Sequence, residues 1–204
     1  MDIPLNEAGQ RGPSDHSKRD QIVSAAGEHF SRYGYAKTTV SDLAKAIDIS
    51  KAYIYKFFDS KQAIGEAICS QCLGSVLSDA HRALLEARTP TDKLRRLFRA
   101  ISESSAKLFF ADRKLFEIAT FSYEEKWHSS TAHAERVAAL LREVILEGRE
   151  QGEFERKTPL DEACRAILQA MQPFINPVML QHNLDLLPDG LTELINLVLR
   201  SLSP

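Results

Sequence analysis

Residues 39–58, TVSDLAKAIDISKAYIYKFF, constrain this chain more than any other stretch, because they leave room for two short helices and only a tight turn between them. Thr39 is placed to cap the first helix, its hydroxyl accepting an unpaired N–H of the opening turn, and Asp42 adds negative charge at the positive end of the helix dipole. Val40, Leu43, Ala44 and Ile47 recur at helical spacing, so one face is apolar and must pack against something. Ile47-Asp48-Ile49 is too apolar for a flexible linker. Asp48 tolerates a left-handed backbone, and Ser50 is a good cap for a second helix beginning at Lys51.

That second helix buries Ile54 with Phe57 or Phe58 and leaves Lys51, Ala52, Tyr53, Tyr55 and Lys56 for its other faces. A helix face of lysines, hydroxyls and a small residue suits the major groove of DNA. Lys51, Tyr55, Lys56, neighbouring hydroxyls and the positive helix N-terminus would then meet phosphates. Geometry alone describes equally well a plain helical hairpin with half-buried tyrosines and solvated lysines.

The surrounding residues discriminate between the two. Residues 22–40 read IVSAAGEHFSRYGYAKTTV and residues 42–64 read DLAKAIDISKAYIYKFFDSKQAI. From Phe30 to Thr39 the chain follows F-x-x-x-G-[YF]-x-x-T-[TS], and from Ile49 it follows V-S-[KR]-x-x-[LIF]-Y-x-[HY]-F-x-[SDN]-K with Ile in the first place. The run from Ile22 to Ile68 thereby resembles the DNA-binding domain of the tetracycline-repressor (TetR) family of bacterial transcriptional regulators. The resemblance implies DNA contacts from Thr38, Thr39, Ser50, Lys51, Ala52, Tyr53, Tyr55, Lys56 and Lys61. It departs in two places: Asp48 stands where the family usually has a turn glycine, and Tyr53 where it often has a small hydroxyl residue, which leaves the base preference open.

A length of 204 residues with 44% hydrophobic content suits a globular chain of one or two domains. We expect a disordered tail at 1–17, rich in Pro, Gly, Asn and Asp, a helix-turn-helix head at 18–64, and a helical ligand-binding and dimerisation body at 65–204. No signal-peptide run opens the chain and no apolar stretch approaches the roughly 20 residues that span a bilayer, so a cytoplasmic location is expected. Net charge is −2, which argues against a general nucleic-acid coat, yet residues 31–61 carry six Lys or Arg against three Asp, whereas residues 62–204 carry 17 basic against 20 acidic. A basic tip on an acidic body is the distribution expected of a DNA reader whose other domain faces something else.

In chain order, a first helix over about Arg19 to Tyr33 buries Ile22, Ala26 and Phe30 and ends at Gly34. Asp59-Ser60 caps a long fourth helix from Lys61 to about Arg88, which in the family joins head to body. Cys69 and Cys72 form a C-x-x-C within it; with no second ligand pair at metal spacing, they read as small buried or semi-buried side chains rather than a metal or redox site. Pro90 opens a fifth helix with Leu94, Leu97, Phe98, Ile101 and Leu108 inward, and Asp112 starts a shorter sixth. The seventh, Trp127 to about Glu150, buries Val137, Leu140, Leu141, Val144 and Ile145. An eighth helix after Thr158-Pro159 should kink or break at Pro173 and Pro177. The last, LTELINLVLRSL, carries a stripe too apolar to face water, which predicts burial against a partner.

Nine or ten helices and no convincing strand make the chain all-α. Six of its sixteen aromatics fall between Phe109 and Trp127. An aromatic cluster suits a core as well as a pocket, but the family resemblance implies an inducer cavity in this region, with Phe109, Phe110, Phe116, Phe121, Trp127, His128 and Phe174 as candidate lining. Glu117, Glu124, His128 and Arg136 are candidate polar partners that serve equally well facing solvent. The resemblance also implies a homodimer through the last two helices, an unknown small-molecule effector and a palindromic operator in double-stranded DNA, with no cofactor and no metal.

Against an enzyme, His29, His81, His128, His133 and His182 are scattered, and no His-Glu-x-x-His, Gly-x-Ser-x-Gly or phosphate loop occurs. The expected function is therefore a ligand-responsive regulator, a repressor released by its effector. The alternatives are a helical module gripping a protein through the hairpin, an enzyme on a helical scaffold, and a regulator switched through Cys69 and Cys72.

Overall fold

A computed structural model describes residues 13–204, with side chains from residue 17 onward. Among these residues ten α-helices follow one another: α1 Pro13–Tyr33, α2 Val40–Ala46, α3 Lys51–Ile54, α4 Lys61–Leu85, α5 Pro90–Ala111, α6 Arg113–Glu124, α7 His128–Glu150, α8 Leu160–Ile175, α9 Pro177–Leu180 and α10 Asp189–Ser201. A 3-10 turn at Leu184–Leu186 separates the last two. Among the described residues no strand occurs and no helix is long and apolar enough to cross a membrane.

Most of the expected punctuation is present. Gly34 ends α1 at φ 86°, a backbone that a Cβ would strain. Thr89 and Asp112 cap α5 and α6 through their side chains, and Asn176 caps α9 just before Pro177, so the eighth helix breaks there while Pro173 is absorbed within α8. α1 begins earlier than expected. Residues 13–17, read as part of a disordered tail, belong to the helix; the rest of that tail lies outside the described residues.

Two buried clusters organise the chain. The larger joins Val76, Leu77 and Ala80 of α4 to Leu94, Leu97, Phe98 and Ile101 of α5, to Leu141 and Ile145 of α7, to Ile167 and Met171 of α8, and to Leu191, Ile195 and Val198 of α10. The smaller centres on Ile22, Val23, Ala26 and Phe30 of α1 with Val40, Leu43, Ile54 and Phe58 of the hairpin. This second cluster does not stop at residue 64: it takes in Ile64, Ile68 and Cys69 of α4, Ile118 of α6 and Trp127. The near end of α4 thus belongs to the head's core and its middle to the body's, which makes α4 a shared beam rather than a linker.

The expectation for the C-terminal helix needs correcting. The stripe Leu191, Ile195, Val198 of α10, with Leu202 just after it, is buried in this chain's own core, because α5 and α8 lie against it. Leu197, 55% exposed, is the large apolar residue left on its outer side.

Candidate nucleic-acid interface and body cavity

The hairpin is built by backbone chemistry that its residues dictate. The Thr39 hydroxyl accepts the Asp42 N–H at 3.2 Å, and an Asp42 carboxylate oxygen accepts the Thr39 N–H at 2.9 Å, a reciprocal capping box. The Thr39 hydroxyl and backbone bonds hold the Asp42 carboxyl below its usual range. α2 ends in a Schellman turn: Asp48 sits at φ 52°, its N–H meets the Lys45 carbonyl, and the Ile49 N–H reaches back to Ala44 at 3.0 Å. Asp48 therefore performs the left-handed step expected of it. The Ser50 hydroxyl then accepts the Tyr53 N–H at 3.0 Å to start α3.

α3 is α-helical only to Ile54, and successive turns carry the chain through Phe57 and Phe58. Ile54 and Phe58 are buried and anchor this element, which leaves Ser50, Lys51, Ala52, Tyr55 and Lys56 exposed together. Tyr53 is half-buried, edge-on to Phe57 at 5.3 Å, with the Lys56 ammonium 5.5 Å from its ring centroid. The Lys51 ammonium lies 5.7 Å from the Tyr55 ring. Two cations and two phenols thus share one outward surface, backed by a dry core.

Two candidate contacts are placed otherwise. Thr38 is 2% exposed and its hydroxyl donates to the Gly34 carbonyl at 2.8 Å, so it closes the loop after α1 and has no free group for a phosphate. Of the threonine pair, Thr39 is the exposed one. The Lys61 ammonium is half-buried, donates to the Tyr35 carbonyl at 3.1 Å and sits 4.3 Å from the Tyr35 ring centroid. Partial burial lowers its pKa. Tyr35, its phenol pushed up to about 12 by burial and by Glu66, packs edge-on against Trp127 at 5.4 Å and at a tilt against Phe121 at 5.5 Å. Lys61 consequently ties the N-terminal end of α4 to an aromatic junction between head and body.

Within the body, two adjoining lobes open between α4, α5, α6, α7, α8 and α9, with volumes of about 90 Å³ and about 180 Å³. Leu73, Ala119, His133, Ile175 and Pro177 line both. The first lobe adds Tyr123, Ser130, Val137, Gln172 and Asn176; the second adds Cys72, Leu108, Asp112, Leu115 and Phe116.

Of the seven aromatic and histidine candidates, Phe116 alone is in these walls. Phe110 is 74% exposed, Phe109 stacks between Phe110 and Phe116, and His128 faces solvent. Phe121 and Trp127 are drawn to Tyr35 in the junction, and Phe174 is spent in the core. The aromatic cluster builds structure more than it builds a pocket. Glu117, Glu124 and Arg136 are exposed and line neither lobe.

Sequence reading missed His133, Gln172 and Asn176, whereas Tyr123, one of the six clustered aromatics, does line the first lobe. A signal existed in their polarity within otherwise apolar helix faces, but it does not say which helices converge. Cys69 is buried and Cys72 half-buried, with both thiols raised by burial, as expected of packed side chains. Among the described residues no group of His, Cys, Asp or Glu is placed to hold a metal.

Two family models match the chain. Residues 22–68 match the family model described as "Bacterial regulatory proteins, tetR family", and residues 90–188 match "Tetracyclin repressor-like, C-terminal domain". The chain is similar to the icaADBC biofilm operon negative transcriptional regulator IcaR of Staphylococcus aureus, 43% identical over 54 residues. That match spans 26% of this chain and 29% of IcaR. It is similar also to the transcriptional activator FasR of Mycolicibacterium smegmatis, 32% identical over 96 residues, 47% of this chain and 42% of FasR. Among solved structures, the fatty acid degradation regulator FadR of Bacillus halodurans superposes with a TM-score of 0.63 at 26% identity, over 94% of this chain and 95% of that one.

Proposed function

The chain belongs to the TetR family of bacterial regulatory proteins, and from that premise we propose that it is a homodimeric, effector-responsive DNA-binding regulator. The observation that carries this reading is the exposed surface of Ser50, Lys51, Ala52, Tyr55 and Lys56 on a hairpin rigidly backed by Ile54 and Phe58. Its N-terminal amides and two lysines are suited to phosphates, and Ala52 and Tyr53 to base edges. Thr39 and Lys61 flank it.

One element of this size covers only about 10 Å of groove, so specificity needs a second half-site one helical turn or more away, supplied by a second copy. The outer faces of α8 and α10, including Leu197, are the surface we assign to that contact. The two-lobed cavity is the effector site. An effector that prefers the body in a shape unsuited to operator weakens DNA binding, and DNA must weaken the effector by the same factor. We favour repression, the sign named for IcaR; FasR carries the opposite sign on the same kind of head.

Selection of bound duplexes from a random pool, followed by fluorescence-anisotropy titration of the winner against a scrambled duplex, tests the reading. We expect a palindromic site, two chains per duplex and a preference of roughly a thousandfold or more at physiological salt. Equal weak binding to every duplex, insensitive to Lys51→Ala, would overturn it in favour of a hairpin that grips a protein.

A further inference from the structure

The cavity wall can be audited group by group. In the first lobe the Tyr123 hydroxyl and the Asn176 amide both donate to Gln172 Oε1, each at 3.1 Å, and Gln172 Nε2 donates to the Leu168 carbonyl at 3.2 Å. Asn176 Oδ1 accepts the Val178 N–H, and the Ser130 hydroxyl donates to the Ser122 and Trp127 carbonyls. In the second lobe Asp112 accepts the Ser31 hydroxyl and the Lys114 and Leu115 N–H groups, while Ser105 adds a half-buried hydroxyl. His133 is different: its Nδ1 is buried without a hydrogen-bond partner among the described residues, and His133 lines both lobes. Buried ring nitrogens are rarely left unmet, and a ligand atom that meets one makes a hydrogen bond that the cavity walls do not supply.

Charge is equally uneven. The charged member of the two walls is Asp112, an anion already occupied, and no Lys or Arg lines either lobe. Arg136, one turn beyond His133, is exposed and outside the walls. Burial, with Arg136 adding to it, pushes the His133 pKa down to about 4, so the ring is neutral at physiological pH and offers no positive charge. A carboxylate drawn into this space would lose its water, gain no counter-charge and share the cavity with Asp112.

We propose that the effector is an uncharged molecule whose hydrocarbon body occupies both lobes and whose single hydroxyl or carbonyl oxygen hydrogen-bonds to His133 Nδ1. A hydroxyl serves either tautomer of the ring, by donating or by accepting. The lobes, about 90 and about 180 Å³, bracket the roughly 150 Å³ of an apolar cavity that admits benzene, which sets the body at about ten carbons. This inference rests on the cavity being the effector site.

The test uses the full-length protein and isothermal titration calorimetry near neutral pH, with 1-decanol and decanoate as matched probes. Decanol should bind one per chain, and decanoate roughly tenfold more weakly or worse. His133→Leu should cost decanol roughly tenfold, while His133→Asn, whose amide stands near the place of Nδ1, should restore it to within about threefold. Decanoate binding as tightly as decanol, no decanol binding at all, or equal affinities in the Leu and Asn variants would overturn the proposal. The wild-type comparison of the two probes decides even if a variant fails to fold. DNA titrations on the same preparations separate the two readings: operator recognition without decanol binding removes this inference alone, and decanol binding without any DNA preference removes the regulatory reading alone.

Discussion

The Asp112 carboxylate accepts the Ser31 hydroxyl of α1 with one oxygen and caps α6 with the other, and the same residue forms part of the second lobe's wall. Beside it, the Lys114 ammonium donates to the Arg32 carbonyl. The start of α6 is therefore tied to the head and to the cavity at once, and a ligand that shifts α6 must pull on α1. Coupling between sites amounts to about 1–3 kcal/mol where it has been measured, and one hydrogen bond to a charged group is of that order. Ser31→Ala should bring the ratio of operator affinities with and without decanol closer to one, while changing each separate affinity by less than about threefold. An unchanged ratio would exclude this route.

Gly65 lies where the Tyr35 and Trp127 rings close on α4. A Cβ there would stand 2.9 Å from Tyr35 Cε2 and 3.0 Å from two Trp127 ring carbons. Both rings are buried and hemmed in, so neither gives way cheaply. Gly65→Ala should destabilise the protein by about 1–3 kcal/mol, read in denaturant by the fluorescence of Trp127, the chain's one tryptophan. Stability equal to that of the parent would mean that the junction is looser than its geometry.

For the head, Lys51→Ala should weaken binding to every duplex alike and flatten the logarithmic salt dependence by about one unit, the signature of one lost phosphate contact. Tyr53→Phe and Tyr53→Ala should instead redistribute base preference by about 1–3 kcal/mol. A uniform loss for Tyr53 across sequences would assign it to the backbone, in keeping with its half-buried stacking on Phe57.

His133 sets a pH dependence with a definite sign. Its pKa falls from the ordinary 6.5 to about 4 in the folded chain because burial penalises the imidazolium, so between those values the unfolded chain binds the extra proton. Its contribution is intact above about pH 6.5 and is lost as pH falls toward 4, on the order of 3 kcal/mol in all. Denaturant titrations from pH 7 to 4.5 should show the parent losing more stability than His133→Asn. Parallel losses would place the proton elsewhere.

What was legible in the sequence is what local chemistry decides. Thr39 and Asp42 form their capping box, Asp48 takes the left-handed turn and Ser50 caps the next helix, because each device closes within a few residues of itself. The inward faces of α5 and α7 followed from their period for the same reason. Thr38 and Lys61 show what the sequence left open: the Thr38 hydroxyl is sealed by the Gly34 carbonyl four residues back, and one donor of Lys61 is taken by Tyr35, which packing brings close from 26 residues away.

The sequence by itself determined an all-α chain with a hairpin head, its caps and turns, and a basic end on an acidic body. Only the tertiary structure decided which residues surround the cavity. Periodicity says that a side chain faces inward, but not which other helix it will meet, so Phe121 and Trp127 went to the junction, Phe174 and the α10 stripe to the core, and His133 to the space left between six helices. A cavity is what packing leaves unfilled, and that is a property of several elements together rather than of any one of them.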